Sequence, residues 1–400
     1  MAENFLNHKE KLNIDNIKFT NLISFLMGFS SSLLAYILSL YFKVISGTDN
    51  VGIFFLISYL IILIIFLNLH KLAQKIGKSY LFYLTFVIKI IAITALFYLP
   101  LSILGIIFLM IYIIGDAMSW VCLDIILEFF SVDKMSGRIR GVYLTIGNAG
   151  FILAPFLSFQ ILDIFGFKGI FFASFVIQFL IFSISLMAFR GVDHTFKRKE
   201  TTIQLLKRVF KRKNIMRIYY ISFVLDFFYA LMVIYTPLYF LQIGYSLSQI
   251  GLVFSIILIP FVLFQYPVGI LADKKTGEKE FLIFSIFIMG VATLILYLFN
   301  YKDILFLTTI LFVTRVGASI IEILRDSYFY KKIDGYDLDI IDFFRTSRPV
   351  GYIIATILSS FLLLLSFDIK LIFLLIAIVS LSGLYPAFKL VDNKSERERI

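Results

Sequence analysis

Cysteine is almost missing from this chain. Its 400 residues include one, Cys122, so no intrachain disulfide is possible and thiols say nothing about compartment. The three histidines, His8, His70 and His194, are far apart, and no His-Cys-acid cluster at metal-ligand spacing occurs. No Gly-x4-Gly-Lys-Ser/Thr loop is present, which argues against primary ATP-driven pumping by this chain. Charged residues make up only 16 %, against about a quarter in soluble domains. No metal, no cofactor and no enzymatic chemistry are expected.

What fills the chain instead is apolar sequence. Hydrophobic residues make up 60 % and the mean hydropathy is +0.95. Runs of about 20 predominantly apolar residues, the length that crosses a bilayer as a helix, recur throughout. Twelve are predicted, at 20–42, 51–69, 80–99, 102–129, 142–162, 168–189, 217–241, 249–271, 281–299, 303–329, 344–366 and 369–389. The first run follows a polar stretch and carries no signal-peptide cleavage pattern, so it is expected to remain as a span. The fold class is therefore an all-α polytopic membrane protein, with the bilayer as its main partner.

A net charge of +11 invites a nucleic-acid reading, but the distribution rejects it. With the N-terminus placed in the cytoplasm, the opposite loops hold only Lys43, Lys168, Lys302 and Lys370. Lys89 and Arg315 lie inside spans, and every other basic residue falls on the cytoplasmic side. That asymmetry follows the positive-inside rule and puts both termini in the cytoplasm. The basic stretch 191–216 separates six spans (1–190) from six (217–400). Within it, Thr201 to Ile215 reads as an amphipathic helix with Ile203, Leu206 and Phe210 on one face, suited to the anionic inner leaflet.

The two halves share a pattern roughly 200 residues apart. Gly52 opens the second span and Gly251 the eighth. Leu72-Ala73-Gln74-Lys75 matches Leu271-Ala272-Asp273-Lys274, Asp124 and Glu128 match Glu322 and Asp326, and Gly150, Ala154 and Ser158 match Gly351, Ala355 and Ser359. Small residues four apart let helices approach closely in lipid. These positions read as packing seams or as a sliding interface.

Over its full length the chain resembles the major facilitator superfamily. Gly269-Ile270-Leu271-Ala272-Asp273-Lys274 is similar to that family's signature in the loop between its second and third spans, with Gly277 one residue late. In the first copy His70 replaces the glycine and Gln74 the acid, while Lys75, Gly77 and Lys78 remain. Gly141, Gly150, Ala154, Pro155 and Ser158 resemble the family's antiporter pattern in span five. The resemblance implies twelve helices in two pseudo-symmetric halves that rock about a midplane site, with spans one, four, seven and ten lining the cavity. It also implies a gating role for the loop residues. With the acid lost at position 74 but kept as Asp273, the lock is expected between Asp273 and Arg138 and Arg140 at the start of span five.

Charged residues inside spans are costly and mark functional sites. Arg315, Glu322 and Asp326 fall within about 20° of one another on a helix, with Ser319 nearby. Asp116, Trp120 and Asp124 follow at four-residue steps in span four, and Asp226 and Tyr229 lie one turn apart in span seven. Asp116 is expected to pair with Arg315 across the cavity, and Asp226 to carry a proton. Lys89, in a span that the resemblance places at the periphery, is expected to pair with a neighbouring span or to snorkel. The expected function is secondary active transport of a small solute by a monomer, coupled to protons; the span-five pattern tilts towards efflux while Arg315 suits an organic anion or a zwitterion, so direction and substrate stay open. A sensor or scaffold that kept the fold but lost transport is the alternative, favoured by the eroded first loop.

Overall fold

In the computed structural model the described residues are 14–130, 136–189, 208–272, 277–299, 302–333 and 338–391. Among them every regular element is a helix. In chain order these are α1 (Ile14–Ala35), α2 (Leu38–Ser46), α3 (Gly52–Leu67), α4 (Leu69–Ile76), α5 (Lys78–Tyr98), α6 (Ile103–Phe130), α7 (Ser136–Ala188) and α8 (Lys213–Gln242). Then follow α9 (Leu247–Leu263), α10 (Gln265–Leu271), α11 (Lys279–Leu298), α12 (Ile304–Lys331), α13 (Leu338–Arg345), α14 (Ser347–Leu364), α15 (Leu371–Ser382) and α16 (Leu384–Lys389). Among the described residues ten stretches are long and apolar enough to cross a membrane, and α3 is a shorter apolar helix. Gly166, at φ 64° and ψ −166°, breaks α7 in two, at the point where the sequence predicts a turn between two spans.

The helices are irregular for reasons written in their side chains. Pro155 has no N–H to offer the carbonyl of Phe151, and the Ser32 hydroxyl donates to that oxygen instead, at 2.9 Å. In return Ser158 donates to the carbonyl of Leu33 at 2.5 Å. In a continuous helix the N–H of Ile37 would reach Leu33, but it bonds Leu34 at 2.8 Å, and α1 ends there. In lipid every freed backbone group needs such a substitute partner. Gly28 and Gly150 make the contact possible: a Cβ at Gly150 would sit 2.2 Å from the Phe25 oxygen, and one at Gly28 would sit 2.1 Å from the Gly147 oxygen.

The sequence repeat has a spatial counterpart. A Cβ at Gly52 would meet Ser360 and Tyr235, so α3 packs on α14; one at Gly251 would meet Phe159 and Pro155, so α9 packs on α7. Gly77 (φ 94°) and Gly277 (φ 76°) both turn the chain at positive φ, and their N–H groups both bond back to an alanine, Ala73 and Ala272, at 3.0 Å. The first bond spans four residues and the second five, so the correspondence is one of place in the fold, kept although the sequence of the first turn is eroded. Ala154, Ser158, Ala355 and Ser359 are buried as packing residues, and a Cβ at Gly351 would press on Asp226. Gly141 differs: among the described residues a Cβ there meets nothing within 4 Å, so no described contact requires glycine at that position.

Candidate functional site

A cavity of about 340 Å³ lies among the helices. Its lining includes Tyr36, Tyr59 and Tyr352, and also Asp124, Asp326 and Arg345. Those last residues sit near the ends of α6, α12 and α13, which lead into the basic loops. Around these tyrosines the helices pack against one another. Tyr36 stacks on Phe254 at 4.1 Å and Tyr59 on Tyr352 at 3.9 Å, and the Asn50 side chain donates to the Ser360 carbonyl at 3.5 Å.

The wall draws on α1, α6, α8 and α12, as the family resemblance implies, and also on α3, α7, α9, α13 and α14. Trp120, Asp226, Tyr229 and Glu322 are on it. Asp226 is held tightly: its Oδ2 accepts from the Arg325 guanidinium at 3.2 Å and from the Ser347 hydroxyl at 2.8 Å. Arg325 also lies 3.6 Å from Asp326. Asp124 accepts from the Tyr143 hydroxyl at 3.0 Å and faces Arg345 at 3.9 Å. Glu322 is different. Among the described residues it accepts only from Gln265 Nε2, at 2.8 Å, and Gln265 in turn accepts from Asn148 Nδ2 at 2.9 Å. This relay joins α7 to α12 without any cation.

Asp116 is not on the wall. It lies behind Trp120, where Lys89 donates to Oδ1 at 2.8 Å and the Ser31 hydroxyl contacts both oxygens at 3.0 and 2.9 Å. Trp120 Nε1 donates to the same Ser31 oxygen at 3.0 Å. Lys89 is fully buried, bonds Ser119 at 3.3 Å and sits over the Phe86 ring at 4.6 Å. The pairing of Lys89 with a neighbouring span is thus present, whereas the Asp116–Arg315 pair is absent. Asp116 lies within reach of a closer cation, and α6 and α5 hold both in place.

Arg315 is 2 % exposed and stacks over Phe228 at 4.8 Å. Its Nη1 is buried with no acceptor. Its electrostatic neighbours are Tyr36, Tyr229 and Tyr352, not an acid. Ser319, expected on the polar stripe, is buried and donates to the Val316 carbonyl at 2.9 Å, so it is spent within its own helix. Of the gating residues, Lys75, Gly77 and Gly277 are described. Asp273 and Lys274, and the side chains of Gln74, Arg138 and Arg140, fall outside the described residues, as does the Asp273 lock. Arg345 and Arg348 carry no site signal in the sequence because they fall in the first turns of span eleven, next to the basic loop, and read as loop charges. Gln265 and Asn148 look like isolated polar residues until α10 and α7 bring them together.

A multi-pass helical membrane protein that encloses a charged, solute-sized cavity beneath a packed seam has the build of a transporter. The sequence profile of the Major Facilitator Superfamily matches residues 20–333, and the chain belongs to that family. The crystal structure of a mutant of the nucleoside transporter NupG is similar, with a TM-score of 0.69 at 16 % identity, covering 94 % of this chain and 99 % of that one. At that identity the likeness is one of fold. No curated protein matches the chain.

Proposed function

We propose that this protein moves a small solute by alternating access between two six-helix halves, 1–190 and 217–400, joined by the basic segment 191–216. The observation that carries this reading is the cavity itself, walled by both halves and sealed at one end by aromatic stacks between them. Twelve spans follow if α7 counts as two, broken at Gly166, and α3 as one. With both termini cytoplasmic by the charge rule, the cavity faces the cytoplasm and the aromatic seam is the closed outer gate. The working unit in this reading is a monomer.

Proton coupling is part of the proposal. Asp226 is locked by Arg325 and Ser347 and is better suited to holding α8, α12 and α14 together. Glu322, bonded only to an amide and in reach of the cavity, is the better proton carrier. The span-five pattern is the argument for efflux; the charges of the cavity argue for inward co-transport. A scaffold would have no use for a solute-sized cavity with guanidinium groups left unpaired. The test is flux in proteoliposomes under an imposed proton gradient, over a panel of anionic, neutral and cationic solutes. Gradient-driven movement of any of them supports the reading, and movement of none, in protein shown to be folded, rejects it.

A further inference from the structure

Four carboxylates line the cavity: Asp124, Asp226, Glu322 and Asp326. Three guanidinium groups face them, Arg325, Arg345 and Arg348, and Arg315 behind the wall makes a fourth. The Lys89–Asp116 pair behind Trp120 neutralises itself. With Glu322 ionised, the described site is therefore neutral when empty.

The charges are not spread evenly. Arg325 and Arg345 have acids within 4 Å. Arg348 has no hydrogen bond or ion pair among the described residues and lies on the cavity wall; its guanidinium is 6.0 Å from the Tyr352 ring, and its electrostatic neighbours are Tyr59, Tyr352 and, after them, Asp226 and Asp116. Arg315 also lacks an acceptor. Both share Tyr352 as an electrostatic neighbour, so two guanidinium groups without a hydrogen-bonded or ion-paired acid among the described residues lie near it. Glu322, the one carboxylate on the wall without a cation in contact, is elsewhere on α12. A guanidinium in a low-dielectric site binds planar anionic groups strongly, and the surfaces around it are aromatic: Tyr36, Tyr59, Trp120, Phe151 and Tyr352.

Building on the transport reading, we infer that the substrate is an aromatic organic anion that enters together with a proton, its acidic group on Arg348 and the proton on Glu322. The groups facing Glu322 fit this role. Gln265 donates to it from α10, Tyr229 and Asp226 approach from α8, Arg325 and Asp326 share its helix, and Arg348 reaches in from α14. One anion and one proton leave the site neutral again, so the loaded site crosses the membrane with no added charge. The direction that follows is uptake down the proton gradient, opposite to the one that the span-five pattern suggests.

Trp120 is the only tryptophan and it lines the cavity, so its emission reports binding directly. The experiment titrates the purified full-length chain with benzenesulfonate, whose charge is permanent, with the neutral benzenesulfonamide and with the cation benzyltrimethylammonium. A pH-sensitive dye in weakly buffered solution follows protons. Benzenesulfonate is expected to bind about tenfold more tightly than the other two, a difference of about 1.4 kcal/mol, and to draw protons from solution as it binds. Arg348→Gln should remove that preference and Arg348→Lys should keep part of it, while Glu322→Gln should bind the anion without proton uptake. Equal binding of the sulfonamide or the cation, unchanged binding by Arg348→Gln in folded protein, or anion binding without protons overturns the proposal. Silence with all three probes also overturns it, yet leaves alternating access intact if the broader solute panel shows transport.

Discussion

Lys89 and Arg315 are both cations buried at membrane depth, and replacing each by methionine is expected to move stability in opposite directions. Lys89→Met keeps the length and apolar stem of the side chain but strands Asp116, which lies 2.8 Å from the ammonium and would keep only Ser31. Breaking a buried pair by removing one partner costs about 3–5 kcal/mol, and the Lys89→Met loss should fall in that range. The double variant Lys89→Met with Asp116→Asn should recover most of it, because no charge remains unpaired. Arg315 presents the opposite balance. Burying an ion costs several kcal/mol, and what offsets it here is a cation–π contact with Phe228, worth about 2 kcal/mol when desolvated. Arg315→Met should therefore be neutral or stabilising by about 1–3 kcal/mol, while abolishing coupled transport. Arg315→Lys should retain the charge and lose the planar contact. The assay is equilibrium unfolding in mixed micelles, followed by circular dichroism. If Arg315→Met destabilises as much as Lys89→Met, Arg315 has a buried partner of its own and its role is structural.

Other outcomes follow from the packing and the topology. Gly150→Ala drives a Cβ into the Phe25 carbonyl and should lower stability by a few kcal/mol, as overpacked cores do, whereas Gly141→Ala should be silent; thermal unfolding separates them. In a Cys122→Ser background, Asn50→Cys with Ser360→Cys should form a disulfide across the outer seam that stops transport until it is reduced, and free transport by the cross-linked form would show that the seam does not open. A cysteine at Gly47 should label with an impermeant maleimide from outside only, and labelling from the cytoplasm alone would overturn the span assignment.

The sequence was most legible where lipid imposes the rule. Hydropathy and the Lys and Arg asymmetry lead to a polytopic helical protein, and the recurrence of Gly52 at Gly251 and Ala73 at Ala272 anticipates contacts that do recur. Pairings were less legible, because a charge pattern along one helix does not say which helix stands beside it. Asp116 and Arg315 have matching positions in two halves, yet Lys89 on α5 lies nearer to Asp116 than anything across the cavity. Glu322 could be placed on a polar stripe, but its isolation from cations depends on Gln265, set by the break between α9 and α10. Arg348 carries no sequence signal beyond its neighbour Pro349; only the packing of α14 turns its guanidinium into the cavity.

The rocking of the two halves is the central claim, and paired distances test it most directly. Spin labels at Thr48 and Leu365 flank the closed outer seam, while labels at Asn68 and Lys332 flank the inner ends of α3 and α12. In liposomes at acidic and at neutral internal pH, pulsed electron resonance should show the outer distance lengthening as the inner one shortens. Distances that stay single and fixed for both pairs under both conditions would contradict alternating access.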